Sequence, residues 1–234
     1  YTSPFGMGHP KSFLLADKVA ELTPEGMNHV FFVNSGSEAV DTALKIVMAY
    51  HSAKGENRNR FVSRERAYHG VNMGGVSLSG MVNNRRTFPV TMPNVVMMRH
   101  TWTGEELNIK GQPENGKELA EDLERFAQTY GGNTIAACFV EPVAGSTGTL
   151  VPPKGYLERL REICDAYGII LVFDEETRGS VSFFKELLGE QERLLVYNKI
   201  DVSDKRPSGF DLFVSAKEMD GLGALRKILD EGLL

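Results

Sequence analysis

The sequence predicts an α/β fold in which helices flank a mainly parallel sheet. Two continuous apolar runs, residues 135–140 and 168–173, have the length and composition of buried strands, and the amphipathic segment 155–167 between them has the spacing of a helix. Strand, helix and strand in this order form a βαβ unit with parallel strands and a right-handed crossover. Ligands of such sheets bind beyond the carboxyl ends of the strands, where Glu141 and Asp174 stand.

The other elements follow from apolar spacing and from turn residues. Further helices are predicted at residues 13–22, from the turn at 34–37 to about residue 51, and at 118–130. Short strands are predicted at residues 30–33, 61–63 and 75–78, and a polar loop at 100–117. Ser35 and Glu38 fit a capping box, which marks the start of the second helix.

Composition excludes several classes of protein. A formal net charge of −5 over 234 residues provides no basic face for nucleic acid. Cys138 and Cys164 both fall in predicted core elements, which suits reduced thiols in the cytoplasm. No apolar run approaches the ~20 residues of a membrane span, and no charged-then-apolar leader opens the chain. We therefore expect a cytoplasmic protein without nucleic-acid or membrane partners, and no motif predicts a metal site.

Three features of the sequence suit a charged aromatic ligand. The turn at 34–37 offers backbone N–H groups, hydroxyls and a helix amino terminus for a phosphate, although the same pattern also serves as a simple helix cap. Residues 68–70 (Tyr-His-Gly) place a ring and an imidazole beside a glycine, and alone they are compatible with an ordinary aromatic loop. A carboxylate such as Glu141 or Asp174 at the end of a buried strand is costly unless it meets a cation or donors. Together these features describe the phosphate cup, stacking ring and carboxylate that pyridoxal phosphate needs.

A resemblance to a known family rests on five stretches of the sequence. They are residues 31–45, 68–70, 141–148, 152–157 and 171–175. They resemble the class III aminotransferases, particularly the omega-amino acid:pyruvate (β-alanine:pyruvate) group, almost continuously over residues 1–175. The resemblance implies a fold type I large domain over residues 1–176 and pyridoxal phosphate as cofactor. It also implies amine and keto-acid substrates and a homodimer with its sites at the subunit interface.

The resemblance also implies roles for individual residues. Gly36 and Ser37 would bind the phosphate of the cofactor. Tyr68 would stack on the pyridine ring, with His69 beside it. Asp174 would pair with the ring nitrogen.

Three features of the chain depart from that family. Family members begin several dozen residues earlier, and Glu176 stands where they usually carry a valine that packs under the ring. The glycine-rich stretch and the lysine that binds the cofactor covalently are not clearly present. Glu141 does match the family, and it would support the site. We therefore expect a truncated family member, and the sequence does not decide whether it is active or inactive.

From about residue 176 the chain changes character. A predicted strand at Arg193–Tyr197 leads into Asn-Lys-Ile-Asp, and a second strand at 211–214 leads into Ser-Ala-Lys. The segment 181–231 resembles the carboxy-terminal portion of a Ras-like GTPase of the HflX kind. The resemblance implies a small βαβ-like fragment over residues 177–234. The residues implied in guanine recognition are Asn198, Lys199, Asp201, Ser215 and Ala216.

GTP hydrolysis is not expected from this fragment. Residues 111–117 formally match the phosphate-loop pattern, but Glu118 replaces the Ser or Thr that holds magnesium. The pattern also follows no predicted strand, which favours a coincidence in a loop. A chain without phosphate-loop and magnesium ligands cannot position the transferred phosphate.

Lys217 admits two interpretations. The residues before it also mimic the aminotransferase segment that carries the covalent lysine, which makes Lys217 a candidate catalytic residue. Glu218 follows it where the family has glycine, and the motif at 198–201 favours the GTPase origin. Three functions are therefore open: an aminotransferase, a catalytically inactive chimera that binds pyridoxal phosphate only, and a guanine-nucleotide-binding module without hydrolysis.

Overall fold

The computed structural model describes residues 8–23, 27–89, 92–102, 104, 112–175 and 193–197. These residues divide into two compact units, and the first contributes residues 8–23 and 27–34. This first unit contains helix α1 (Pro10–Leu22), whose N-cap His9 accepts the N–H of Lys11 at 3.2 Å. The second unit contains the remaining described residues, including every strand that the structure describes.

The second unit alternates strands with helices along the chain. Its elements are α2 (Gly36–Ala53), β1 (Arg60–Arg64), α3 (Met73–Leu78), α4 (Val82–Thr87), β2 (Val95–Met98), α5 (Gly116–Tyr130), β3 (Ile135–Val140), α6 (Tyr156–Tyr167), β4 (Ile170–Glu175) and β5 (Arg193–Tyr197). One turn of 3-10 helix, Gly132–Thr134, leads into β3.

The five described strands form one parallel sheet in the order β2-β1-β3-β4-β5. Strands β3 and β4, which α6 connects, lie side by side with Cys138 opposite Leu171. The predicted βαβ unit and parallel α/β sheet are therefore confirmed. Because parallel strands end at the same edge, the residues that follow β1, β3 and β4 are brought close together.

The predicted strand at Arg193–Tyr197 is also confirmed, as β5. It pairs with β4 in parallel, so that Val172 stands opposite Leu194 and Asp174 opposite Val196. It therefore extends the sheet that the upstream strands form. The proposed boundary between residues 176 and 177 stays a prediction, because residues 176–192 and 198–234 lie outside the described part of the chain.

The core explains why the central strands are apolar throughout. All six residues of β3 and residues 171–173 of β4 are buried. On α2, Val40, Leu44 and Val47 recur at helical spacing and join a cluster that includes Phe139. Burial of each such side chain stabilises the fold by about 1.5–3 kcal/mol.

Both cysteines are buried free thiols, as their predicted place in the core requires. Cys138 lies in β3 and Cys164 in α6. Burial raises the pKa of Cys164 to about 12, so its thiol stays protonated at neutral pH.

The described ranges lack two kinds of feature. None of their helices is both long and apolar enough to cross a membrane. Within the same ranges, no three His, Cys, Asp or Glu side chains come together in a way that could hold a metal ion.

Two of the predicted strands are wrong. Residues 75–78 belong to helix α3, where the Ser77 hydroxyl donates to the carbonyl of Met73, one turn earlier, at 2.6 Å. Gly75 lies so close to the carbonyl of His69 that a Cβ there would overlap it. Residues 30–33 have no regular structure, since an apolar run becomes a strand only where another strand pairs with it.

Three further differences concern short or polar elements. Strand β2 and helix α4 were not predicted, because neither has a clear period over its few residues. Helix α5 begins at Gly116, inside the predicted loop at 100–117. The loop was overextended because glycine and asparagine in its sequence also occur at helix starts.

The residues of the GTPase resemblance lie almost entirely outside the described part of the chain. These are Asn198, Lys199, Asp201, Ser215, Ala216, the candidate Lys217 and the predicted strand at 211–214. Only the strand at Arg193–Tyr197 is described.

Candidate functional site

The carboxyl end of the sheet brings His69 and Asp174 into direct contact. Asp174 lies near the end of β4, and His69 lies in the loop after β1. Nδ1 of His69 is 2.9 Å from Oδ2 of Asp174. An ionised carboxylate only accepts hydrogen bonds, so we assign the proton to Nδ1. The imidazole also meets the ring of Phe139 edge-on, with 6.3 Å between the ring centroids.

Each member of this pair keeps one buried polar atom without a hydrogen-bond partner among the described residues. These atoms are Nε2 of His69 and Oδ1 of Asp174. A buried polar atom left unpaired costs about 1–3 kcal/mol, so such atoms often mark the place of a ligand or a water. Oδ1 of Asp174 can therefore accept a hydrogen bond from a protonated nitrogen.

Glu141 follows the neighbouring strand β3 and has different partners. Its Oε1 accepts the backbone N–H of Tyr68 at 2.9 Å, and its Oε2 accepts that of Gly145 at 3.1 Å. Burial raises the pKa of Glu141, whereas the charge of His69 and the N–H of Tyr68 act in the opposite direction. The carboxylate thus joins the loop after β1 to the turn after β3.

The predicted phosphate turn opens helix α2. Ser35 is its N-cap and accepts the N–H of Glu38 at 3.2 Å, as the capping box predicts. Oγ of Ser37 accepts the N–H of Val71 at 3.0 Å. Gly70 has a φ of +97°, and a Cβ there would stand 2.6 Å from Oγ of Ser37. Only glycine allows the loop after β1 to approach the helix this closely.

The loop of residues 67–71 connects the residues that the sequence singled out. Ser37, in the first turn of α2, accepts the N–H of Val71 at the end of this loop, and Gly36 is the first residue of α2. Within the loop, His69 reaches Asp174, and the backbone of the half-buried Tyr68 reaches the carboxylate of residue 141. Residues far apart in sequence are therefore linked through one short segment.

Arg64 is a further residue of this region that the sequence did not reveal. It ends β1, is 1% exposed, and donates from Nη2 to the carbonyl of Glu141 at 2.9 Å. Its guanidinium lies 5.8 Å from the ring centroid of Tyr156. Arginine is rarely buried unless a partner satisfies its charge, so residue type alone predicts that Arg64 is exposed. The available signal was strand alternation, which places Arg64 on the same face as Val62, also buried.

The residues at this edge of the sheet fit pyridoxal phosphate. Asp174 offers a buried acceptor to a protonated ring nitrogen. The first turn of α2 offers backbone N–H groups, the hydroxyl of Ser37 and the positive end of the helix dipole to a phosphate. Tyr68 belongs to the loop of residues 67–71, which contacts Asp174 through His69 and Ser37 through Val71.

Comparison with known families identifies the chain. The family model described as aminotransferase class-III matches residues 2–180. The chain belongs to the class-III aminotransferases. Enzymes of this family depend on pyridoxal phosphate, so the expected family and the expected cofactor are both confirmed.

Curated relatives of this class-III aminotransferase chain carry related names. The "Omega-aminotransferase" of Caulobacter vibrioides is 53% identical over 182 residues, which are 76% of this chain and 41% of that protein. The "Omega-amino acid–pyruvate aminotransferase" of Pseudomonas putida is 47% identical over 181 residues, 76% of this chain and 40% of that protein. The chain therefore spans about two fifths of the length of the relatives it matches.

Solved structures confirm the fold of the class-III aminotransferase portion. A structure described as "Transaminase with L-ala" has a TM-score of 0.68 and 35% sequence identity to this chain. The match covers 74% of this chain and 41% of that one.

Proposed function

We propose that the chain binds pyridoxal phosphate at the carboxyl end of its sheet. There it would serve the transfer of an amino group from an amine or omega-amino acid to a keto acid such as pyruvate. The observation that carries this proposal is the buried Oδ1 of Asp174, which has no partner among the described residues while Oδ2 faces His69. The names of the relatives from Caulobacter and Pseudomonas support the substrate class.

Asp174 and His69 would act on the ring nitrogen. Bound pyridoxal phosphate supplies an electron sink for the reacting carbon of the substrate. Asp174 would accept a hydrogen bond from the ring nitrogen and favour its protonated form. His69, donating to the second oxygen, holds the carboxylate in the orientation that leaves Oδ1 available.

Gly36, Ser37 and Tyr68 would bind the remainder of the cofactor. The amino terminus of α2 favours an anion, because its backbone N–H groups and dipole present positive charge. Ser37 would keep its hydrogen bond to the loop while its hydroxyl donates to the phosphate. The ring of Tyr68 would stack on the pyridine ring and exclude water from that face.

The main test is a titration of the full chain with pyridoxal phosphate, followed by absorbance of the bound cofactor. Asp174→Asn should weaken binding about tenfold or more, the effect of losing a hydrogen bond to a charged group. The matched control is Asp122→Asn on α5, another buried carboxylate, whose Oδ2 accepts the N–H of Arg99 at 2.8 Å. The control should leave the affinity within about twofold. Equal affinities for the wild type and the Asp174 variant would refute the proposed role.

Lys217 is the candidate for the lysine that binds the cofactor covalently, and it lies outside the described residues. The test is borohydride reduction of the chain in the presence of pyridoxal phosphate, followed by peptide mapping. Label on Lys217 alone would support this role, whereas label elsewhere, or none, would contradict it. We also propose a homodimer with its sites at the interface, which sedimentation of the purified chain checks.

The remaining alternatives are an inactive chimera that binds only the cofactor and a guanine-nucleotide-binding module. No contact of the described residues favours either one over the aminotransferase. The second predicts tight GDP binding that Asp201→Ala abolishes, and equilibrium dialysis with GDP would decide it. The first predicts cofactor binding without transfer of an amino group to pyruvate.

A further inference from the structure

The two carboxylates at neighbouring strand ends differ in what they leave available. Oδ1 of Asp174 is buried and has no partner among the described residues. In Glu141, by contrast, each oxygen accepts a backbone N–H, from Tyr68 at 2.9 Å and from Gly145 at 3.1 Å. Both are carboxylates at the carboxyl ends of neighbouring strands, but only Asp174 offers a buried oxygen without a partner among the described residues.

We infer that Glu141 is a positioning residue, which fixes the backbone of Tyr68 relative to the end of β3 and does not itself contact the cofactor. This inference rests on the proposed function, because the position of the Tyr68 ring affects binding only if the pyridine ring of the cofactor stacks on it. It also makes specific the role that the resemblance implied, in which Glu141 supports the site.

The backbone of Glu141 is itself held in place. Nη2 of the buried Arg64 donates to its carbonyl at 2.9 Å, so both ends of the residue are fixed. The loop on the other side is also anchored, since the N–H of Gly80 donates to the carbonyl of Ala67 at 2.9 Å. The carboxylate therefore joins two segments, each of which is held by a further hydrogen bond.

The chemistry of the contact requires an acceptor at both oxygens. Two N–H donors converge on one carboxylate, and an ionised carboxylate has acceptor capacity at both oxygens. An amide of the same shape would bring an NH2 group against one of the two donors. Glu141→Gln should therefore break one contact and weaken the other, while the volume of the side chain is kept.

The test measures amide hydrogen exchange and cofactor affinity on the full chain. Without cofactor, Glu141→Gln should speed exchange at the amides of Tyr68 and Gly145 about tenfold or more. It should also weaken pyridoxal phosphate binding about tenfold, because the backbone that carries the Tyr68 ring is no longer fixed. Asp122→Asn on α5 removes a carboxylate from the backbone N–H of Arg99, which follows β2. It should speed exchange at Arg99 while leaving cofactor affinity within about twofold.

Glu141→Asp provides a second variant that keeps two acceptor oxygens. Its side chain is one methylene shorter, so it can reach only one of the two N–H groups. We expect faster exchange at one amide, protection at the other, and a loss of cofactor affinity smaller than in Glu141→Gln. This graded response keeps the test decisive if the glutamine variant folds poorly.

Three outcomes would overturn the inference. The first is unchanged exchange at both amides in Glu141→Gln. The second is faster exchange with wild-type cofactor affinity, which would make the contact merely structural. The third is weaker cofactor binding with both amides still protected, which would show direct contact with the cofactor. If the wild type does not bind pyridoxal phosphate, the proposed function fails, and the exchange measurement alone decides whether Glu141 holds the two segments.

Discussion

His69 and Asp174, 105 residues apart in sequence, share a hydrogen bond of 2.9 Å between Nδ1 and Oδ2. Both residues are buried, with 1% and 3% of their surfaces exposed. The bond occupies one oxygen of the carboxylate and leaves the other without a partner among the described residues. The pair therefore presents one oriented acceptor at the carboxyl end of the sheet.

His69→Phe should weaken pyridoxal phosphate binding about tenfold or more. Phenylalanine keeps a ring beside Phe139 but removes the N–H that orients Asp174, so the carboxylate loses a charge-assisted hydrogen bond. His69→Gln retains an N–H donor and should recover part of the loss. Cofactor titration by absorbance measures both variants. An affinity equal to that of the wild type in His69→Phe would show that Asp174 needs no such partner.

Gly70→Ala should destabilise the fold by about 1–3 kcal/mol and disturb the start of α2. Gly70 has a φ of +97°, and the new Cβ would stand 2.6 Å from Oγ of Ser37. Gly55→Ala separates the two causes, because Gly55 has a φ of +74° but nothing within 4 Å of its Cβ position. Urea unfolding should show the larger loss for Gly70→Ala. Equal losses would mean that backbone conformation alone accounts for the effect.

Phe139→Ala should reduce the free energy of unfolding by about 3–5 kcal/mol. Phe139 is fully buried in β3, and its ring meets those of Phe61 and His69. The control Phe88→Ala removes a ring that is 53% exposed, and should change stability by no more than about 0.5 kcal/mol. Denaturant unfolding compares the two. A small effect at Phe139 would contradict its place in the core.

Glu56→Gln should flatten the acid dependence of stability. Hydrogen bonds from His51 and Arg58 lower the pKa of Glu56 below its usual value of 4.5. A carboxyl with a lowered folded pKa stabilises the fold above its unfolded pKa, and that stabilisation is lost as the pH falls through the folded value. Unfolding free energies measured from pH 4.5 downward should therefore fall less steeply in the variant. The exposed Glu158→Gln is the control, and a wild-type slope in Glu56→Gln would refute the prediction.

The local sequence pattern predicted the buried central strands and the longer helices. The strands at 135–140 and near 168–173, the helix between them and the helix after Ser35 were all recoverable. Burial on both faces imposes an apolar run on the strands, and serine is favoured at helix N-caps. The prediction failed at residues 75–78, where a helix of six residues shows no period. It also missed Arg64, whose burial depends on a carbonyl 77 positions away.

The sequence by itself determined the parallel α/β class, the class-III aminotransferase family and the set of residues at the carboxyl ends of the strands. Motifs and apolar runs are local, so they need no knowledge of distant contacts. Only the tertiary structure decided what each carboxylate does. Glu141 and Asp174 both lie at the carboxyl ends of buried strands, but Glu141 meets two backbone N–H groups and Asp174 meets a single imidazole. Those partners come from segments remote in sequence, and the availability of an oxygen is a property of the packed sheet edge.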